Sequence, residues 1–219
     1  MIKTIFWDFD GVIADSVNVK TDAFYEMYLP YGKEVADKVR RYHLDNGGMS
    51  RFDKFRYYQE SLLGETAPIP DAIVDELAKT FSDIVLEKVV NAPYIKGVEA
   101  VLADMQGRVN NYIITGTPTQ EMKDIVEKRG IMHYFDGIYG SPEKKDYWVN
   151  YLIEKYGLNR NESLFIGDAL SDQKAASKNN IYFILRRHED NKHLFATYDS
   201  YSINDFTEFY SVFNTINNI

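Results

Sequence analysis

Apolar and polar positions divide the chain into two kinds of sequence. Residues 2–6 are a short apolar run that ends on the acids Asp8 and Asp10, the pattern of a buried parallel strand. Residues 17–91 read as long helical stretches, broken at Leu29-Pro30-Tyr31-Gly32, Asn46-Gly47-Gly48 and Ala67-Pro68-Ile69-Pro70. From about residue 92 the pattern alternates. Helices are expected at Val98–Met105, 118–129, roughly 146–156 and near 172–179, and a final helix after about 199. Strands are expected at Tyr112-Ile113-Ile114, near Gly137-Ile138-Tyr139, at Leu164-Phe165-Ile166 and at Tyr182-Phe183-Ile184-Leu185. Such alternation predicts an α/β fold, a Rossmann-like parallel sheet covered by helices on both faces. The helical block after the first strand predicts an inserted cap, with residues 1–16 plus 92–219 as the core and 17–91 as the cap.

Composition narrows this picture. With 219 residues, 45% hydrophobic and 26% charged, the chain is long enough for one well-cored domain carrying a smaller insert. No run of 18 apolar residues is present, and the N-terminus lacks the apolar stretch of a signal peptide, so neither membrane association nor export is expected. The absence of cysteine excludes disulfides and thiolate metal sites and points to a cytoplasmic protein. A net charge of -8 argues against a nucleic-acid partner.

In an open parallel sheet, ligands bind outside the carboxyl ends of the strands, and polar residues gather at those ends here. Asp8 and Asp10 lie two apart, so both can face one side; one suits nucleophilic attack and the other proton transfer. A solvated turn would look the same from this pair alone. Thr115-Gly116 follows the second strand, with Thr117 as the expected N-cap, Pro118 at the first helical position and Gln120 completing a capping box, a placement that favours a phosphoryl group. Lys144 and Lys145 follow the third strand, and one ammonium there could neutralise phosphoryl oxygens; the spacing from Gly140-Ser141-Pro142 favours Lys145. Asp168 and Asp172 follow the fourth strand and supply hard oxygen ligands suited to Mg²⁺, although Asp172 also suits a helix N-terminus. The histidines His43, His133, His188 and His193 show no ligand spacing and read as structural or surface residues.

Asp8-Phe9-Asp10-Gly11-Val12, Ile114-Thr115-Gly116, Lys145 and Gly167-Asp168 through Asp172, in that order, resemble the haloacid dehalogenase-like (HAD) hydrolase superfamily from residue 2 to about 187. The resemblance implies that Asp8 attacks phosphorus to form an aspartyl-phosphate, and that Asp10 protonates the leaving oxygen and then activates water. It further implies Mg²⁺ held by Asp8, the Asp10 carbonyl, Asp168 and Asp172, the last directly or through water, with Thr115, Gly116 and Lys145 on the phosphoryl oxygens. The dehalogenases and phosphonatases of this superfamily lack an acid at the position of Asp10, which favours phosphate-ester chemistry on a small phosphorylated metabolite.

The helical insert resembles the cap of the phosphoglycolate-phosphatase-like subfamily. Its Arg51, Lys54 and Arg56 form a local basic cluster, read either as contacts to a second anionic group on the substrate or as a solvated helix face. Gly48-Met49-Ser50-Arg51 also looks like the stretch with which β-phosphoglucomutases grip a sugar phosphate. A mutase is therefore the second reading, although Lys20 stands where those enzymes carry histidine and could itself meet substrate. A non-catalytic HAD-fold binding protein is a third class, against which the intact acid, Thr and Lys set argues.

Overall fold

The computed structural model describes residues 1–218. In chain order its elements are β1 (Thr4–Trp7), α1 (Val17–Tyr28), α2 (Lys33–Asp45), α3 (Arg51–Tyr57), α4 (Asp71–Val90), α5 (Val98–Met105), β2 (Asn110–Pro118), α6 (Thr119–Lys128), β3 (Gly137–Ser141), α7 (Lys145–Tyr156), β4 (Ser163–Gly167), α8 (Leu170–Lys178), β5 (Tyr182–Arg186), β6 (Ser202–Ile203) and α9 (Phe209–Asn217). The six strands form one parallel sheet in the order β3-β2-β1-β4-β5-β6. The α/β architecture expected from the alternating pattern is therefore present.

Every residue of β1 is buried, because helices cover both sheet faces. Side chains alternate between those faces. Phe6 stacks on Tyr112 and Phe165 in the apolar layer that includes Val149 and Leu152 of α7. Ile5 and Trp7 point the other way, where Trp7 packs on Phe206 and donates from its indole to Asn111 Oδ1 at 2.9 Å. Helix α9 closes that second layer with Phe209, Phe213 and Ile216, as expected for the chain's end; residue 219 of that stretch lies outside the described residues.

Strand order runs outward from β1 in both directions. The end of β1 is thus the point where the order reverses, and a crevice opens between the loops after its neighbours β2 and β4. Asp8 stands in that crevice, one residue past the strand.

Helices α1 to α4 follow β1 and pack around the aromatic residues Phe24, Phe55, Tyr58 and Phe81. The stripe Val74, Ala78, Phe81, Val85 and Val89 on α4 is the helical spacing that buries one face. Between α2 and α3 the chain turns through Gly47 and Gly48 directly over the strand ends. Gly48 has φ +69°, and a Cβ there would stand 2.2 Å from Ser171 Oγ and 3.1 Å from Lys145 Nζ, so only glycine fits this close approach.

Two local expectations differ. The helix expected from 118 begins at Thr119, because β2 runs on to Pro118, which pairs with Ser141 after a register shift. Thr117 is therefore no N-cap: its hydroxyl faces the crevice, while Gln120 bonds to Asp124 on the surface. Strand β6 went unpredicted because two residues in a polar stretch carry no periodic signal.

Candidate active site

The ends of β1, β3 and β4 bring three acids and one lysine into a buried cluster. Lys145 Nζ lies 2.8 Å from Asp8 Oδ2 and 2.6 Å from Asp172 Oδ1. Lys144, by contrast, is exposed. Asp8, Asp168 and Asp172 each present one carboxylate oxygen, all within 4.8 Å of one another. The other Asp172 oxygen accepts from the backbone N–H groups of Asp168 and Ala169, at 3.2 and 3.0 Å, which fixes the turn from β4 into α8. Gly11 permits the packing of β1 against β4: a Cβ there would stand 2.1 Å from Asp168 Oδ2.

These contacts set the electrostatics. Burial, reinforced by the Asp172 charge, pushes the Asp8 carboxyl up to about 7 despite Lys145. Burial also raises Asp168, against the opposing hydrogen bond from His188, and raises Asp172, against Lys145. For Lys145, burial disfavours the ammonium, yet Asp172 and Asp8 outweigh it and hold the proton well above the usual lysine value.

Asp10 faces the cavity in a separate group. Its carboxylate accepts from Ser16 Oγ at 2.6 Å and from Lys20 Nζ at 2.5 Å, and Lys20 also donates to Thr117 Oγ1 at 2.7 Å. Burial favours protonation of Asp10, but the Lys20 charge and hydrogen bond, with that of Ser16, leave it below the usual carboxylate value. Thr115 is buried in β2, where the register with β3 shifts after Ile114, and its hydroxyl accepts from the Thr117 N–H at 3.2 Å. Gly116 lines the cavity, and a Cβ there would meet the Gly48 carbonyl at 2.6 Å.

The three basic residues between 51 and 56 do not act as one group. Arg56 is paired on the surface with Asp71. Arg51 is buried and forms a two-pronged contact with Glu121 of α6, Nη1 to Oε2 at 2.8 Å and Nη2 to Oε1 at 2.6 Å, with Ser82 Oγ bonded to both. This pair ties α3 to α6. Lys54 is buried in the cavity wall, with His43 Nδ1 2.9 Å from its Nζ.

Two of the histidines stand close to the acids, in the wall of the same cavity. His43 is a buried cavity residue, and His188 reaches back from the loop after β5 to Asp168 Oδ2 at 3.0 Å. His188 stands at the carboxyl end of a strand, the same positional signal that located Asp8, Thr115 and Asp168; Asn191, next along, holds the Asp168 carbonyl at 2.8 Å. The whole cavity, about 760 Å³ with its open mouth, runs from Asp8 to Lys54 between helices α1 to α4 and the loops at the strand ends.

The Arg51–Glu121 contact carries a prediction. Arg51→Ala strands Glu121 in a mostly buried place and is expected to destabilise the protein by about 2 kcal/mol or more, or roughly 5 °C in Tm. Thermal unfolding checks it; an unchanged Tm contradicts the clasp.

The fold and this strand-end arrangement define an enzyme class, and comparison gives the same one. Residues 5–185 match the family model described as haloacid dehalogenase-like hydrolase, and the chain belongs to that family. A phosphoglycolate phosphatase of Vibrio vulnificus is 33% identical over 187 residues, spanning 80% of this chain and 79% of the relative. One from Vibrio cholerae is 25% identical over 188 residues, 83% and 82% of the two chains. Among solved structures, a β-phosphoglucomutase from Clostridium difficile aligns with TM-score 0.79 at 15% identity, covering 100% of this chain and 98% of that one. CbbY from Rhodobacter sphaeroides, in complex with phosphate, aligns with TM-score 0.74 at 16% identity over 95% and 96%. At such identities these structures speak for the fold alone. No helix among the described residues is long and apolar enough to cross a membrane.

Proposed function

We propose that this chain is a Mg²⁺-dependent phosphatase that hydrolyses a small phosphorylated metabolite through an aspartyl-phosphate on Asp8. The observation that carries the reading is the pairing of Asp8 with Lys145 at 2.8 Å inside a buried cluster of three carboxylates, while a second acid, Asp10, faces the same cavity. The curated relatives are named phosphoglycolate phosphatases, which supports phosphate-ester chemistry and makes phosphoglycolate the first ester to assay. A cytoplasmic setting accords with the lack of cysteine.

The donor set fits a hard divalent cation. Asp8, Asp10, Asp168 and Asp172 gather four carboxyl groups against only two lysines paired with them, Lys145 and Lys20, so a cation is what would let all four ionise together. Oxygen donors of this kind suit Mg²⁺ better than a soft or imidazole-seeking metal. Asp8, Asp168 and Asp172 would hold it, together with the Asp10 carbonyl. When bound, it supplies positive charge that keeps Asp8 ionised and offsets the charge of the phosphoryl oxygens. His188, bonded to Asp168, orients that ligand.

The protein's own groups do the rest. Asp8 Oδ attacks phosphorus, the P–O bond to the leaving group breaks, and the leaving oxygen takes a proton at Asp10. Asp10 then removes a proton from water as that water attacks the phosphorus on Asp8, which releases phosphate and regenerates the carboxylate. Lys20 and Thr117 donate to the Asp10 carboxylate and hold it at the cavity; Asp10 takes up from solvent the proton it delivers, as the negative charge of the arriving substrate draws Lys20 away and raises the proton affinity of the carboxylate. Lys145, with Thr115 and Gly116, neutralises and positions the phosphoryl oxygens. Residues 17–91 act as the cap that excludes water and selects the leaving group.

Asp10→Asn should lower kcat by about 10²–10⁴-fold through loss of proton transfer. Steady-state phosphate release from a panel of metabolite phosphates with Mg²⁺ tests the reading, with isomer formation from a hexose 1-phosphate as the control for mutase chemistry. Isomer formation outpacing phosphate release would make the chain a phosphotransferase. Undiminished turnover by Asp10→Asn would remove Asp10 from the mechanism.

A further inference from the structure

Most carboxylate oxygens of the buried cluster already carry a hydrogen bond or a lysine contact. Asp8 Oδ1 accepts from the Phe9 N–H at 2.7 Å, and Asp8 Oδ2 meets Lys145 Nζ at 2.8 Å. Asp172 Oδ2 accepts from the N–H groups of Asp168 and Ala169, and Asp172 Oδ1 accepts from Lys145 at 2.6 Å. Asp168 Oδ2 faces His188 Nε2 at 3.0 Å. Within the described residues, Asp168 Oδ1 alone among these oxygens lacks a partner.

The contact on Asp168 Oδ2 comes from the loop after β5. An ionised carboxylate only accepts, so His188 Nε2 carries the hydrogen of this bond. The loop is itself fastened. Asn191 is 3% exposed and spends both amide hydrogens and its oxygen on backbone groups. Its Nδ2 donates to the Asp168 carbonyl at 2.8 Å and to the Arg186 carbonyl at 2.9 Å, and its Oδ1 accepts from the His188 N–H at 3.0 Å. Strands β4 and β5 are neighbours in the sheet, so this one amide pins their ends together and fixes the His188 backbone beside them. The ring then holds the Asp168 carboxylate, and Asp168 cannot turn Oδ2 toward a cation without losing His188.

We propose that His188, held in place by Asn191, makes Asp168 a one-oxygen ligand and so selects a small octahedral cation such as Mg²⁺ over Ca²⁺. This rests on the metal-dependent phosphatase reading and deepens it. Mg²⁺ demands near-octahedral geometry, whereas Ca²⁺ takes about six to eight oxygens and draws extra ligands from carboxylates that bind through both oxygens. A two-oxygen grip by Asp8 or Asp172 would disturb backbone N–H groups and Lys145 together. Asp168 has only one bond to give up, and His188 makes it. His188 and Asn191 are positioning residues, acting through Asp168 as outer-shell partners of a metal ligand do.

The test is the affinity for Mg²⁺ and for Ca²⁺, each measured without substrate by displacement of Mn²⁺ followed by electron paramagnetic resonance. It is run on wild type, His188→Ala, His188→Gln, Asn191→Ala and Lys192→Ala, each checked for native circular dichroism. Lys192 is the control, a surface residue of the same loop paired with Glu189. His188→Ala should weaken Mg²⁺ about ten-fold or more and Ca²⁺ much less, so that the ratio of the two affinities falls roughly ten-fold. His188→Gln, which keeps an N–H donor, should recover part of the ratio. Asn191→Ala should shift it in the same direction as His188→Ala, and Lys192→Ala should leave it unchanged. Equal weakening of both ions in His188→Ala overturns the proposal, because a loosened loop would do that without changing how Asp168 binds. Unchanged Mg²⁺ affinity in His188→Ala overturns it too, and neither result touches the phosphatase reading. Failure of wild type to bind any of the three ions at millimolar concentration sinks the metal-dependent reading, and the proposal with it. Should His188→Ala fail to fold, His188→Leu replaces it in the same comparison, with the same outcomes.

Discussion

Asp8→Asn is expected to lower kcat by about 10⁴-fold or more while the protein stays folded. The amide is nearly isosteric with the carboxylate but is no nucleophile toward phosphorus. Stability should survive for a physical reason. Burial and the charge of Asp172 already disfavour an ionised Asp8, which is why its carboxyl sits near 7, and a neutral amide removes that repulsion while giving up the Lys145 pair. The two effects oppose each other, so Tm should move by only a few degrees. Phosphate release and thermal unfolding on the same preparation check both halves. Turnover retained at a substantial fraction of wild type would exclude Asp8 as the nucleophile.

Lys145→Ala should do more damage to the fold. The ammonium is 4% exposed and is the direct cationic partner of two buried carboxylates, Asp8 and Asp172. Removing one member of a buried ion cluster leaves uncompensated charge, worth about 3–5 kcal/mol, or on the order of 10 °C in Tm for a chain of this size. Activity should fall as well, by about 10²–10³-fold, because the same ammonium meets developing charge on the phosphoryl oxygens. The double variant Lys145→Ala/Asp8→Asn sharpens the point. It removes one of the two stranded charges, so its Tm should lie above that of Lys145→Ala alone, a non-additivity expected only of groups in direct contact. A Tm for Lys145→Ala equal to wild type would contradict the ion cluster.

The residues that prove readable from sequence share a cause. β1, β2, β4 and β5 are buried through their middles, so each contains a short apolar run, and the polar residues that follow that run mark the side of the sheet where the site lies. Asp8, Thr115, Lys145 and Asp168 were locatable because the parallel sheet gathers all such ends on one side. Partners supplied from distant helices could not be read in this way. Glu121 lies 70 positions from Arg51, and no local pattern pairs them. Lys54 and His43 lie 11 positions apart on different helices, and their burial depends on how α1, α2, α3 and α4 pack around Phe24 and Phe81. Thr117 looked like a helix cap because its local sequence fits one; the continuation of β2 alongside β3 overrode that preference and turned the hydroxyl toward Lys20 and Asp10. His188 carried a positional signal after β5 but lay 20 residues from Asp168, too far for any metal-ligand spacing to connect them.

A phosphoryl group that passes through Asp8 leaves a covalent species that can be caught. Asp10→Asn slows the attack of water on that species, so acid quenching of this variant during turnover, followed by peptide mass spectrometry, is the most direct measurement. One added phosphoryl mass is expected on the peptide that contains Asp8, absent when Asp8→Asn is combined with Asp10→Asn. A phosphoryl group found on another residue, or one that persists in the double variant, would contradict it.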